Sequence, residues 1–259
     1  MTKKTTVKPI EDPNNLENQP SDILNRYEDM LKNPHLIPKG FQPQLVYKDQ
    51  QLIDVTLVSI DSDDDGLAKK IETFDSYGLY EQANYKTLKT TTANQKNIFK
   101  AGLDFIADFK KQRKAKGFYL RGKFRTGKTY FLSALAKELV KVGSVGFFYV
   151  ADLMRIMHSS MNDGSLEERI KYLKTVDALF LDDLGSTSLS SWFRDSCLTP
   201  IINSRLILNK ATFISTNHNN ADLMGILSNS DTDSKLVSGL IYRLQEITVF
   251  LSLNDQLTE

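Results

Sequence analysis

Gly122-Lys123-Phe124-Arg125-Thr126-Gly127-Lys128-Thr129 spells G-x-x-x-x-G-K-[ST], the spacing of a loop that cradles phosphate. Glycine at each end lets the backbone curl until successive N–H groups converge on phosphate oxygens. The helix that follows turns the positive end of its dipole toward the same point. In that arrangement Lys128 reaches the β- and γ-phosphates of a nucleoside triphosphate such as ATP, and Thr129 holds Mg²⁺. A chance match is expected on the order of once per hundred chains of this size, so context decides. Gly117 to Arg121 is a short apolar run suited to a buried strand. Tyr130 to Val142 has helical spacing, with Phe131, Leu132, Leu135, Ala136 and Leu139 on one face and Gly143 ending the run. Strand, loop and helix stand in the order the motif requires. The bland alternative is a glycine-rich turn with an exposed lysine.

A second candidate lies downstream, where Val176 to Leu181 runs without alternation straight into Asp182-Asp183. Such a run suits a strand covered on both faces, and strands of that kind carry their chemistry at their C-terminal ends. An acid there, beside a phosphate loop, can complete the shell of Mg²⁺, and the next acid can polarise an attacking water. Asp182 is therefore assigned to the metal and Asp183 to the water, against the plainer reading of two turn aspartates before Leu184-Gly185. Ala211 to Thr216 is another buried strand, and Asn217 at its end can orient water beside the γ-phosphate. On its own an asparagine there is more often a cap or turn residue.

The elements that must position these groups follow a β-α alternation. Asn94 to Lys114 has helical periodicity and trails into Lys110, Lys111, Arg113, Lys114 and Lys116, read as a solvated turn that complements the helix dipole rather than as a DNA contact. After the phosphate-loop helix come a strand at Val145 to Val150, helices at Asp152 to Met161 and Leu166 to Lys174, then a helix from Trp192 to Leu208. Asn219, Asn220 and Asp222 open a further helix, Lys235 to Glu246 is helical, and Ile247 to Leu253 closes as a strand. Alternation over about 140 residues implies an α/β domain with a mostly parallel sheet flanked by helices.

Upstream the organisation is smaller. Residues 1–20 are polar and proline-rich and read as a disordered tail. Ser21 is placed to cap a helix carrying Ile23, Leu24, Tyr27, Met30 and Leu31, and two strand-like runs, Gln44 to Lys48 and Gln51 to Ser59, follow. Residues 21–73 thus form a small α+β module. The acidic run Asp61, Asp63, Asp64 and Asp65 has the look of a calcium loop but is read as a solvated turn. Residues 74–93 carry little periodic signal and are assigned as a linker to a domain spanning 94–259.

With 33 Lys and Arg against 32 Asp and Glu, the net charge of +1 gives no global field for a polyanion, so any basic surface must be local. The single cysteine, Cys197, excludes an internal disulfide and a cysteine-cluster zinc site. His35, His158 and His218 stand in unrelated segments without ligand spacing. No signal-peptide pattern and no apolar run of spanning length is present, which makes the cytoplasm the expected compartment and excludes a membrane partner.

Ala178 to Gly185, Ser190-Ser-Trp-Phe-Arg-Asp195, Pro200-Ile-Ile-Asn-Ser-Arg205 and Phe213-Ile-Ser-Thr-Asn217 together are far more specific than a phosphate loop. With them, the segment from about Gly117 to Leu253 resembles the P-loop AAA+ ATPase domain of bacterial and phage helicase loaders of the DnaI and DnaC type. Ala151-Asp-Leu-Met154 and Asn162-Asp-Gly-Ser165 are similar to the loader region associated with single-stranded DNA and helicase contacts. The resemblance implies ATP and Mg²⁺ as cofactors, contacted by Gly122, Arg125, Thr126, Gly127, Lys128, Thr129 and Tyr130. It makes Asn217 sensor 1, Arg205 the arginine finger offered to a neighbouring subunit, and Arg243 a member of the sensor 2 helix. It leaves Arg194 a structural or subunit-contact residue.

The function so implied is ATP-dependent loading of the replicative helicase onto single-stranded DNA, with self-association through the ATP site and the N-terminal module gripping the helicase. Three departures stand out. Arg125 replaces the usual glycine, which costs roughly 1 kcal/mol if the position needs positive φ. The N-terminal module has no cysteine for a zinc site, and Gly239 stands where a second basic residue is expected. Two other readings therefore stay open: a transposition helper ATPase of the IstB type, and an adaptor that binds helicase or DNA without catalysis.

Overall fold

The computed structural model describes residues 20–33, 37, 41–48, 51–59, 67–68, 70–74, 76, 78–85, 88, 90, 92–112, 114–228 and 234–253. The chain divides into two compact units, 1–63 and 64–259. In the first unit, helix α1 (Pro20–Lys32) precedes strands β1 (Phe41–Lys48) and β2 (Gln51–Ser59), which pair antiparallel with Lys48 opposite Gln51. The helix starts at Pro20, whose fixed φ and missing N–H suit a first-turn position, so Ser21 lies inside that turn rather than capping it. A hairpin alone is marginal in water. Ile23 of α1 supplies the missing burial against Leu52 and Val55, with Leu24, Tyr27, Met30 and Leu45 around them. Of the tail expected over 1–20, residues 1–19 lie outside the described residues and Pro20 belongs to α1.

The second unit is built on one parallel sheet. Its strands are β3 (Gly117–Arg121), β4 (Val145–Tyr149), β5 (Ala178–Asp182), β6 (Ala211–Thr216) and β7 (Thr248–Ser252), in the order β4-β5-β6-β3-β7. Alternate residues feed two cores. Phe118, Leu120, Phe147, Phe180 and Phe213 face helices α2 (Ala93–Gln112) and α3 (Lys128–Leu139). Tyr119, Phe148, Leu179, Leu181 and Ile214 face the opposite layer, formed by α4 (Val150–Asp163), α5 (Leu166–Thr175), α6 (Thr199–Leu208), α7 (Asn220–Leu227) and α8 (Ser234–Ile247). Burial on both faces explains why these strands read as unbroken apolar runs. Phe147, Phe180 and Phe213 stack across neighbouring strands with centroids 5.5 and 4.3 Å apart, locking the register of β4, β5 and β6.

Two expectations need correction. The free linker expected over 74–93 is anchored at the residues described within it, and the boundary lies at 63/64 rather than after 73. Glu72 pairs in parallel with Gly146, its N–H donating to Val145 O and its carbonyl accepting from Phe147 N, so this stretch covers the outer edge of β4. Tyr80 N donates to Ser133 Oγ (3.1 Å), the buried Lys137 ammonium donates to Glu81 O (2.8 Å), and Ala83 and Tyr85 are buried. An irregular strap held at scattered anchors leaves no period for a sequence reading to find. The helix foreseen over Trp192 to Leu208 also opens with a π-helical turn, Phe193–Leu198, in which Thr199 N–H reaches back to Arg194 O. Pro200 lacks an N–H and its ring crowds the carbonyl four residues earlier, which a widened turn relieves.

Arg205 on α6 is fully buried. Its guanidinium donates to Leu173 O, Val176 O, Ala211 O and Thr212 Oγ1 at 2.6–2.9 Å, tying the end of α5 to the start of β6. Burial pushes its pKa down to about 9, with Asp177 and Tyr172 opposing, so it remains charged at neutral pH. The arginine-finger assignment is therefore corrected: presenting this side chain to a neighbour would strand four acceptors. Arg194 is likewise interior, bidentate on Asp195 at 2.7 Å and donating to Leu227 O. Arg205→Ala should lower the free energy of unfolding by about 3 kcal/mol or more, since each orphaned buried acceptor costs about 1–3 kcal/mol. Urea denaturation reads this directly; a variant of unchanged stability would place Arg205 back among surface residues.

Candidate functional site

The phosphate loop leaves the C-terminal end of β3 and enters α3. Gly122 is required by proximity: a Cβ there would stand 2.0 Å from Leu253 O, the residue that follows β7. Gly127 (φ 89°) and Arg125 (φ 61°) both adopt left-handed backbone, and Thr126 Oγ1 donates to Lys123 O at 2.9 Å, closing the curl. Lys128 is only 7% exposed. Its ammonium donates to Gly122 O and Lys123 O at 2.9 Å each and to Asn217 Oδ1 at 2.5 Å. Burial draws its pKa down, and Asp183 and then Asp182 oppose that pull.

The acids sit at the end of β5, two strands across the sheet from β3 with β6 between. Asp182, 3% exposed, accepts from Thr129 Oγ1 at Oδ2 (2.8 Å) and from Ser215 Oγ at Oδ1 (2.5 Å). Burial raises its pKa above the usual carboxylate range; the bonds from Ser215 and Thr129 act the other way, and nearby Asp183 adds to the rise. Asp183 takes a left-handed φ of 59°, its N–H donating to Ser215 Oγ (2.8 Å) and its Oδ1 accepting from Asn217 Nδ2 (2.7 Å). Left-handed backbone at a non-glycine residue is costly and persists where surroundings over-determine it. The turn here is pinned by Leu184 N to Ser215 O and by Thr216 Oγ1 to Leu184 O. Asn217 thus bridges ammonium and carboxylate, one end of its amide to each, which fixes the orientation of the amide.

Two cavities meet at these residues. One, of about 670 Å³, runs from Phe124–Phe131, Asp183 and Asn217 into an apolar annex walled by Tyr80, Leu88, Ile98, Phe99 and Leu253, with Thr90 and Gln95 on its lining. The other, of about 300 Å³, lies on the far side of Thr129 and Asp183 beside Asp182, Tyr149, Asp152 and the strap at Gly78 to Tyr80. Convergent amides, a buried ammonium, hydroxyl and carboxylate oxygens and an apolar annex are a donor set that fits a nucleoside triphosphate.

Of the residues singled out in the sequence, Gly122, Thr126, Gly127, Lys128, Thr129, Asp182, Asp183 and Asn217 come together here. Tyr130 lines the larger cavity with its ring 6.2 Å from that of Tyr80, and Arg125 is exposed on the same cavity wall. Arg205 is absent from both linings, and so is Arg243, whose guanidinium lies back over Gly239 on its own helix. Sequence reasoning missed Ser215, which holds both aspartates, and Tyr80, which borders both cavities. Ser215 stood in plain view beside Asn217, while Tyr80 lay in the aperiodic stretch.

Counted from Asp61, Gly66 is sixth and Glu72 twelfth, so the acidic run has the full spacing of a calcium loop, glutamate included. Residues 61–66 lie outside the described residues, but Glu72 pairs with β4 as extended chain and its carboxylate accepts from Phe74 N at 2.7 Å. That leaves no exiting helix for it to begin. Among the described residues no group of three or more His, Cys, Asp or Glu could hold a metal, and no helix is long and apolar enough to cross a membrane.

A parallel sheet in this strand order, a phosphate loop on an inner strand and paired acids two strands away, with β6 between, define a P-loop ATP-binding domain of the AAA+ class. A family model described as IstB-like ATP binding protein matches residues 71–255, and the chain belongs to that family. The replicative helicase loader DnaI of Bacillus subtilis (strain 168) is 35% identical over 136 residues, 52% of this chain and 44% of that protein. Protein XkdC of phage-like element PBSX, from the same strain, is 25% identical over 146 residues, 53% of this chain and 54% of its own. The chain spans about half the length of the curated relatives it matches. Among solved structures, the crystal structure of DnaI is similar with a TM-score of 0.63 at 28% identity, covering 72% of this chain and 98% of that one. The DnaC helicase loader follows at 0.55 and 26%, covering 66% and 97%.

The raised Asp182 carries a signed prediction. A carboxylate whose folded pKa lies above its unfolded value contributes stability that is present at low pH and lost as pH rises through the folded value. In metal-free buffer Asp182→Asn should fold at least as stably as the parent, and its advantage in Tm should widen from about pH 4 upward. A gap that narrowed with rising pH would mean that the charge is favourably held.

Proposed function

We propose that this protein is an ATPase that loads a replicative helicase onto single-stranded DNA. The observation that carries the ATPase reading is the chain of bonds Lys128–Asn217–Asp183 beside Thr129–Asp182, all at the C-terminal edge of one parallel sheet. The loader reading is supported by the similarity to DnaI and DnaC. Amides of residues 124–129 and the Lys128 ammonium would hold the phosphates. Thr129 and Asp182 offer the hard oxygen ligands that suit Mg²⁺, which when bound neutralises charge on the β- and γ-phosphates. Asp183 accepts the proton of the attacking water, and Asn217, already fixed against Asp183, orients that water. With Arg205 in the interior, assembly of protomers across the ATP site requires a different cation. Loading a replicative helicase places the protein in the cytoplasm.

A second reading follows from the family description: the same core serving as a transposition helper of the IstB type. Co-purification separates them. With ATP and Mg²⁺ the intact chain should retain a replicative helicase and not a transposase. Lys128→Ala should keep its fold and lose ATP turnover by two orders of magnitude or more, as expected when a preorganised charge at the phosphates is removed, each such loss costing about 10²–10³ in rate. Retention of a transposase alone would favour the second reading. Absence of turnover with DNA and helicase both present would return the protein to a non-catalytic adaptor.

A further inference from the structure

The edge of the sheet opposite the ATP site has a different electrostatic character. Five of the chain's 33 Lys and Arg fall within residues 110–116, a stretch with no acid. The last turn of α2 brings Lys110 and Lys111 to the N-terminal edge of the strands, and Lys114 and Lys116 continue the row to Gly117; all four are exposed. Arg113 belongs to the run in sequence but lies outside the described residues. Lys116 is held in place by its neighbour, since a Cβ on Gly117 would stand 1.9 Å from Thr212 O, so the backbone there is pinned against β6.

Acids near this edge are partly engaged, and Glu246, two residues before the Thr248 that pairs with Gly117, is exposed. Asp177 is paired with Lys210 (2.8 Å) and Glu138 with Lys141 (2.9 Å), while Asp108 approaches Lys111 only at 3.6 Å with both side chains more than 60% exposed. Among the described residues no carboxylate forms an ion pair with Lys110, Lys114 or Lys116. The ATP edge, by contrast, carries Asp152, Asp182 and Asp183.

A helix C-terminus carries about half a negative charge, which one cation in the last turn answers. The further lysines repel one another and lower stability, so they call for an opposite charge from outside. We propose that Lys110, Lys111, Lys114 and Lys116 form a contact for the phosphodiester backbone of nucleic acid, on the face of the domain remote from the nucleotide. Phe109 is turned into the core and Ala115 is half-buried, so the patch offers ammonium groups without apolar anchors. That suits a partner recognised by charge repeated along a strand, rather than a peptide, which needs buried anchors for affinity. The contact is independent of sequence and of the ATP site.

The test is fluorescence anisotropy with a homopolymeric single-stranded oligonucleotide between 50 and 200 mM salt. Each lysine on a phosphate contributes about 0.7 to the slope of log K against log salt. The variant with Lys110, Lys111, Lys114 and Lys116 all changed to alanine should therefore have a slope shallower by about 2.8, removing about a fifty-fold salt dependence over that range. ATP turnover should be unchanged and Tm equal or higher, because repulsion has been relieved. Lys114→Glu alone should shift affinity and slope in the same direction, which keeps the test valid if the quadruple variant folds poorly. Unchanged slope and affinity in both variants, with a lowered Tm, would show that the lysines serve only the helix dipole and would overturn the proposal. So would competition by polyglutamate as effective as that by oligonucleotide.

Discussion

Two charges, the Lys128 ammonium and the Asp182 carboxylate, are kept largely out of water at the C-terminal edge of one sheet, and much of the second unit serves to keep them there. Desolvation pulls both toward neutrality; at Lys128 the Asp183 and Asp182 charges oppose it, at Asp182 the Ser215 and Thr129 hydroxyls do, and the Gly122 and Lys123 carbonyls and the Asn217 amide accept from the ammonium. These groups come from three separate segments of the chain, the loop, the end of β5 and the end of β6. Parallel strands whose crossovers pass through helices are what bring residues 122, 128, 182, 215 and 217 to one crevice. A bound phosphate would add negative charge beside Lys128, and a divalent cation would add positive charge beside Asp182 and Asp183.

Other buried cations show how differently the same chemistry is used. Arg205 is surrounded by backbone carbonyls and works as a clamp between α5 and β6, and Arg194 grips Asp195 and Leu227 O behind a widened helical turn. Both are satisfied within the domain. Lys128 is also satisfied, but by groups on the rim of an open cavity, where a phosphate can replace them without unmaking secondary structure. Reactivity here is a matter of which partners can be exchanged, not of burial as such.

The strap over residues 70–85 joins the two themes. It covers the edge of β4 at Glu72, inserts Ala83 and Tyr85 into the core beside α3, and places Tyr80 against both cavities. The helix that presents Lys128 and Thr129 at its first turn therefore holds the strap through Ser133 and Lys137 one and two turns later. Structural support and site wall are the same segment.

Much was legible before any coordinates. Unbroken apolar runs at Gly117, Val145, Ala178 and Ala211 named the strands because both faces of the sheet are covered, and glycine spacing named the loop because only glycine tolerates Leu253 O so close to residue 122. Local rules of period and backbone sterics act on neighbours in the chain, so sequence alone could determine them. It could not determine that Arg205 points inward, that Arg243 folds over its own helix, that residues 78–85 are packed rather than free, or that Ser215 joins the two acids. Those depend on which groups lie within bonding distance once the chain has folded, as Ser215 lies against Asp182 across 33 residues of chain. Only the tertiary structure decides that, because hydrogen bonding and desolvation are set by neighbours in space.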